Sequence, residues 1–266
     1  MLPPLKRLKQ TRCFLLDMDG TFYLGGKLLP GALDFIALLD QRHIPYVFLT
    51  NNSSRTRREY AEKIRGMGLD VPEERIFTSG EATALYLQAR SPAARLYVVG
   101  TPALEREFAD HGFTLTPHQP DYAVLGFDTT LTYEKLRILC ELLAAGVPYI
   151  ATHPDINCPT ETGYMPDTGA MIELVATSTG RRPDVIIGKP HPPIVAAIAA
   201  RAGLPVEQMC MVGDRLYTDI ALGRTGILTV LVLSGETSPA DLPGSPHQPD
   251  LIMDNLGHLA QTLQSI

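Results

Sequence analysis

Long apolar runs are missing from this chain. No stretch approaches the roughly twenty consecutive apolar residues that a membrane-spanning helix needs. The short run behind Lys6, Arg7 and Lys9 ends in a polar turn at Asp17, so it reads as the approach to a first strand and not as a secretory leader. Cysteine is scarce: Cys13, Cys140, Cys158 and Cys210 show neither CxxC nor Cys/His spacing. That pattern gives no sign of a zinc site or a disulfide framework, and reduced core thiols in a cytoplasmic protein are expected. Positive charge is in the minority, with a formal net charge of −6. Nucleic acid and anionic membrane are therefore disfavoured as bulk partners. The densest basic cluster, Arg55, Arg57 and Arg58, reads as a solvated helix face. No repeat period or low-complexity tract appears. What remains is 266 residues, 45% hydrophobic and 20% charged, enough to bury one large core or two modest ones.

Against this plain background one stretch stands out. Asp17-Met18-Asp19-Gly20-Thr21 directly follows the apolar run Cys13-Phe14-Leu15-Leu16. A run of that length stopped by a Gly-containing polar turn reads as a buried strand of a parallel sheet, whose carboxyl end is where such sheets place active sites. Asp17 then offers a nucleophile and Asp19 a proton carrier. Three further runs end in the same way: Tyr46 to Leu49 in Thr50-Asn51-Asn52, Val185 to Gly188 in Lys189-Pro190, and Met209 to Val212 in Gly213-Asp214, with Asp219 beyond. In one parallel sheet these ends share an edge. Four carboxylates beside one Lys cannot all ionise there, and a divalent cation resolves the conflict. Oxygen ligands without His or Cys favour Mg2+ over Zn2+. Such a site would take a phosphorylated small molecule, with Lys189 and the Thr50 hydroxyl on the phosphate oxygens.

DMDGT, Thr50 after a second strand, Lys189, and Gly213-Asp214 with Asp219, in that order, resemble the four motifs of the haloacid dehalogenase superfamily of phosphatases. Leu49 to Ser53, Ala151-Thr152-His153-Pro154-Asp155 and Ile187 to Pro190 echo the same family. The long insert between Thr50 and Lys189 is similar to a class IIA cap, found in p-nitrophenylphosphatases and in nucleotide, sugar-phosphate, pyridoxal and phosphoglycolate phosphatases. The resemblance implies an α/β fold: a Rossmann-like doubly wound core over 1–80 and 184–266, with a smaller α/β cap inserted at 81–183. It implies Mg2+ held by the Asp17 and Asp214 side chains and the Asp19 backbone carbonyl, with Asp219 in an outer shell. It implies catalysis by Asp17, Asp19, Thr50 and Lys189 through an aspartyl phosphate, with Asn51 on the phosphoryl group and Asn52 either beside it or only in a turn. His153 and Asp155 fall in the cap loop that, in class IIA relatives, selects the leaving group. A homodimer is within the family's range.

Rival readings exist. A receiver-type signalling module also uses a strand-end Asp, a Thr and a Lys around Mg2+, but it needs no general acid at Asp19 and no large insert. Dehalogenation needs no carboxylate cluster at Asp214. A phosphotransferase or phosphomutase shares the core chemistry and differs in the cap.

Between the motifs the sequence predicts a helix over 31–41, a helix capped by Ser53 or Ser54 and ended by Gly68, an Ala-rich helix running to Gly203, and a loop over 239–249 before a last strand and helix. Ile44-Pro45-Tyr46-Val47 and Val147-Pro148-Tyr149-Ile150 both read as helix-to-strand joints. Cys13 precedes Asp17 by the same even interval that Cys210 precedes Asp214, which predicts two thiols on one face of adjacent strands.

Overall fold

The computed structural model describes residues 2–160 and 163–266. Along the chain lie α1 (Pro4–Lys9), β1 (Cys13–Leu16), the hairpin of β2 (Tyr23–Leu24) and β3 (Lys27–Leu28), α2 (Ala32–Gln41), β4 (Tyr46–Thr50), α3 (Arg57–Gly66) and β5 (Ile76–Thr78). Next come α4 (Ser79–Gln88), β6 (Arg95–Val99), α5 (Pro102–Asp110), β7 (Thr114–Leu115), β8 (Tyr122–Leu125), α6 (Tyr133–Ala144), β9 (Tyr149–Ala151), and the antiparallel pair β10 (Asn157–Thr160) and β11 (Gly163–Pro166). The chain finishes with α7 (Thr168–Thr179), β12 (Val185–Ile186), α8 (Pro192–Ala202), β13 (Met209–Gly213), β14 (Leu228–Val232), β15 (Leu251–Met253) and α9 (Leu256–Ser265). They form two compact units, one of residues 1–50, 60–77 and 198–266, the other of 51–59 and 78–197.

The first unit carries a six-stranded sheet in the order β15-β14-β13-β1-β4-β5. Each ladder from β15 to β4 is parallel. Its strands are mostly apolar because both faces are covered: β1, β13 and β14 are buried at every position. On one face Phe14 meets Phe35 of α2 edge-on at 5.3 Å, and Phe22 meets Phe48 at 4.7 Å. From β1 the chain builds outward to β4 and β5, then returns to the other side of β1 for β13, β14 and β15. The order therefore reverses between β1 and β13, and a doubly wound sheet opens its ligand crevice at the carboxyl ends of such a pair.

The second unit repeats the grammar with a five-stranded parallel sheet, order β12-β9-β8-β6-β7. Two expectations change here. Val185-Ile186, read as the return to the first sheet, instead pairs with Ile150 and Ala151 of β9. A short apolar run carries no mark of which sheet it joins, and this one is only half buried. The segment 51–59, expected in the core, groups with this unit. The Ser53 hydroxyl takes the Phe127 N–H at 2.9 Å and lies 3.0 Å from the Thr152 hydroxyl, and the Thr101 hydroxyl donates to the Ser54 carbonyl at 2.9 Å. Ser53 thus does not cap α3. Thr56 does, in a reciprocal box with Glu59 (3.2 and 2.7 Å).

The thiol register also fails. Cys13 stands opposite Met209, and Cys210 opposite Phe14. One residue of stagger puts the two thiols on opposite faces of the sheet. All four cysteines are free. The two helix-to-strand joints match bond for bond: Ile44 N–H reaches back to the Leu39 carbonyl (2.9 Å) as Val147 N–H does to Leu142 (3.0 Å). His43 (φ 53°) takes the left-handed position that Gly146 (φ 85°) takes in the other.

Candidate active site

Asp17 and Asp214 are the first residues beyond β1 and β13, at the reversal point of the first sheet. The ladder pairs Leu16 with Val212, so Asp17 falls level with Gly213 and Asp214 one step further on. Both lie past their strands, where alternation no longer sets direction. Carboxylate oxygens of Asp17, Asp214 and Asp219 accordingly lie within 4.8 Å of one another. The missed thiol register leaves this meeting intact.

Backbone closes tightly around Asp214. A Cβ on Gly20 (φ 86°) would stand 2.3 Å from its Oδ2, and one on Gly235 would stand 2.0 Å from the same atom. Only glycine permits that approach. The Glu236 N–H donates to Asp214 Oδ2 at 2.7 Å and the Thr21 hydroxyl to Oδ1 at 3.4 Å. Asp219, fully buried, accepts the Arg215 N–H at 3.1 Å. The Arg215 guanidinium pairs with Glu236 at 2.9 Å. Burial first, then the charges of Asp17 and Asp219, push the Asp214 carboxyl up to about 8. Three carboxylates so placed are a donor set for a hard divalent cation.

Asp19 sits on the next turn with 54% of its side chain exposed, and Lys63 Nζ lies 3.9 Å from its Oδ1. The same ammonium stands 3.8 Å over the Tyr23 ring. Desolvation by the surrounding turn raises Asp19, Lys63 opposes this and Asp17 adds to it; with half the side chain in water, solvent moderates each effect. Thr50 ends β4, with Phe48 paired to Leu16, so it lies at the same sheet edge.

In the second unit Lys189 follows β12 and is 3% exposed. Its N–H donates to Asn51 Oδ1 at 2.7 Å, and Asn51 Nδ2 donates to its carbonyl at 2.8 Å and to Asp155 Oδ1 at 2.9 Å. Asn52 makes a local turn, its Oδ1 accepting from the Ser54 N–H (2.9 Å) and hydroxyl (2.7 Å). His153, read as a leaving-group contact, is fully buried. Its Nε2 bonds Asp167 at 2.8 Å and its Nδ1 lies 2.9 Å from the Thr152 hydroxyl. Burial opposes its charged form, but the Asp167 carboxylate prevails and holds its pKa above the ordinary histidine value.

Known proteins match this arrangement along nearly the whole chain. A family model described as haloacid dehalogenase-like hydrolase matches residues 14–114, and a second, HAD-hydrolase-like, matches residues 186–259. The acid sugar phosphatase of Staphylococcus epidermidis is 37% identical over 88% of this chain and 91% of its own. The 5'-nucleotidase YutF of Bacillus subtilis is 34% identical over 94% and 97%. Among solved structures, the 4-nitrophenylphosphatase of Thermotoga maritima superposes with a TM-score of 0.94 at 48% identity, covering 97% of this chain and 99% of that one. The chain belongs to the haloacid dehalogenase-like hydrolases.

For a haloacid dehalogenase-like hydrolase of this sequence, the two model matches take in Asp17, Asp19, Thr50, Lys189, Asp214 and Asp219, while His153 and Asp155 fall between them. The first unit gathers Asp17, Asp214 and Asp219; the second joins Lys189, Asn51, Asp155 and, through Ser79, His153. Sequence reasoning missed Lys63, Arg215 and Asp167. Lys63 and Arg215 carry no motif of their own. Asp167 was within reach, because Asp before Thr168-Gly169 is a helix N-cap signal, and it caps α7.

Proposed function

We propose that the chain is a Mg2+-dependent phosphatase of small phosphate monoesters that works through a phosphorylated Asp17. Membership of the family and likeness over nearly the full length to phosphatases make it a phosphoric monoester hydrolase; the metal, the residue roles and the route are the proposal. The observation that carries it is the meeting of Asp17 with Asp214 and Asp219 at the reversal of a doubly wound sheet. Asp17, Asp214 and the Asp19 carbonyl would hold Mg2+, with Asp219 behind them. Bound there, the cation offsets carboxylate and phosphate charge and orients the phosphoryl group.

Asp17 attacks phosphorus, and the ester oxygen leaves with the proton of Asp19. Asp19 then takes a proton from the water that hydrolyses the aspartyl phosphate. A raised carboxyl that is still half exposed suits a group that must hand its proton out and take it back. Thr50 and Lys189 bind phosphoryl oxygens. The same proposal puts the enzyme in the cytoplasm, acting on phosphorylated metabolites; four free thiols are in keeping with a reducing compartment. Phosphate release across aryl, sugar and nucleoside monophosphates, with and without Mg2+, tests the reading. Turnover that needs the metal and vanishes in Asp17→Asn is expected, and metal-independent turnover or an active Asp17→Asn would refute it.

A further inference from the structure

We infer that Asn51, His153 and Asp167 are positioning residues that act on the reaction through Lys189, and not contacts for the leaving group. The inference rests on the phosphatase reading above. Its basis is a continuous frame of hydrogen bonds inside the second unit. Both amide hydrogens of Asn51 are used, one on the Lys189 carbonyl (2.8 Å) and one on Asp155 (2.9 Å), while its Oδ1 takes the Lys189 N–H (2.7 Å). The Asn51 carbonyl in turn accepts the Ser79 hydroxyl. Ser79 has spent its one proton there, so its oxygen can only accept from His153 Nδ1, 3.3 Å away, a nitrogen that also meets the nearer Thr152 hydroxyl at 2.9 Å. The other ring nitrogen is bonded to Asp167 Oδ1, which also accepts the Thr168 N–H at the start of α7 (2.8 and 2.6 Å). A helix N-terminus is thus linked, bond by bond, to the main chain of Lys189.

Packing fixes the same junction from the other side. The Gly188 N–H donates to the Thr152 carbonyl at 2.7 Å. A Cβ on Gly188 would come within 2.6 Å of Asn51 Oδ1 and 2.7 Å of His153 Cβ, so the residue before Lys189 has no room for a side chain. Asn51, His153 and Asp167 are 5%, 0% and 3% exposed. Turning any of them toward a substrate would break a buried, satisfied polar network and leave its partners unpaired. What the frame can do is hold still the backbone that carries a long, rotatable side chain. An error of about 1 Å in such a group can cost about a hundredfold in rate.

A double-mutant cycle separates the roles. Asn51→Ala, His153→Asn, Asp167→Ala and Lys189→Ala would be assayed on p-nitrophenyl phosphate, a hexose phosphate and a nucleoside monophosphate, alone and with each frame variant added to Lys189→Ala. The expected result is a fall in kcat of about 10- to 100-fold for each frame variant, by one common factor on all three esters, with no further loss once Lys189 is Ala. His153→Asn keeps a buried amide and carries the cycle if the Ala variants fail to fold. Losses that differ between esters by more than about tenfold, losses that add in full to that of Lys189→Ala, or no loss at all would overturn the inference and leave the phosphatase reading standing. A wild-type chain that turns over none of the three esters would remove that reading, and the inference with it.

Discussion

Asp214→Asn should destroy activity and yet make the metal-free protein more stable at alkaline pH. The Asp214 carboxyl is buried, 2% exposed, beside Asp17 and Asp219, and is pushed up to about 8 in the fold. In the unfolded chain it titrates near its ordinary value, about 4. Between those values the folded state holds the proton more tightly than the unfolded one, so stability falls as pH rises, by at most about 1.4 kcal/mol per unit. The loss is complete above the folded pKa. About four units of difference set a ceiling of about 5 kcal/mol, and sharing of the proton with Asp17 and Asp219 brings the observable part to about 2–4 kcal/mol. Asn keeps the shape and can still accept the Glu236 N–H, but it never ionises. Urea unfolding of both proteins in a chelator, from about pH 5 to about pH 9, isolates the Asp17, Asp214 and Asp219 cluster, since titrations outside it are common to both. The stability advantage of Asp214→Asn should grow with pH and level off above about pH 8. Adding Mg2+ should restore the wild type far more than the variant, by about 2.7 kcal/mol at a hundredfold excess over Kd. A flat difference across pH, or a variant less stable at every pH, would show that the carboxylate is solvated and ionised in the metal-free fold, and the charge argument for a cation would fail.

Three shorter expectations follow from the same geometry. Asp17→Asn should abolish turnover, whereas Asp19→Asn, which keeps the backbone carbonyl, should retain Mg2+ binding by calorimetry and lose about two to four orders of magnitude in kcat; equal loss of metal binding in both would contradict the assignment. Gly235→Ala must displace the Asp214 carboxylate from a Cβ built 2.0 Å away and should raise the Mg2+ concentration for half-activation at least about tenfold, against no change in Gly244→Ala, whose Cβ meets nothing within 4 Å. Gly146→Ala, at φ 85° with open space around its Cβ, should cost about 1 kcal/mol in chemical denaturation from backbone strain alone, and a neutral result would mean that the joint relaxes.

The polar strand ends were legible because each is a local event: an apolar run, then a polar residue of useful chemistry, as at Asp17, Thr50 and Asp214. What was not legible was non-local. Val185-Ile186 could have joined either sheet, since two half-buried apolar residues fit both edges. Equal spacing of Cys13 and Cys210 from their aspartates could not reveal a one-residue stagger between β1 and β13. His153 was read as a leaving-group contact because it falls in the loop that selects the leaving group in class IIA relatives. Only the fold shows that Asp167, fourteen residues on, draws the ring inside. The Thr56–Glu59 cap, by contrast, was written in the sequence as T-x-x-E, and two serines just before it obscured it.

The nine residues of 51–59 bear on how such enzymes can be recombined. Although residues 60–77 of the first unit separate them from the remainder of the second in the chain, they belong to its compact body, and Ser53 answers the Phe127 N–H and meets the Thr152 hydroxyl there. A chimera that exchanges only 78–197 with a relative would set whatever residues that relative carries at 127 and 152 against this chain's Ser53, with no assurance of the same hydrogen bonds. The transferable module is discontinuous, and grafts that carry 51–59 along with 78–197 should express and fold where the contiguous exchange does not.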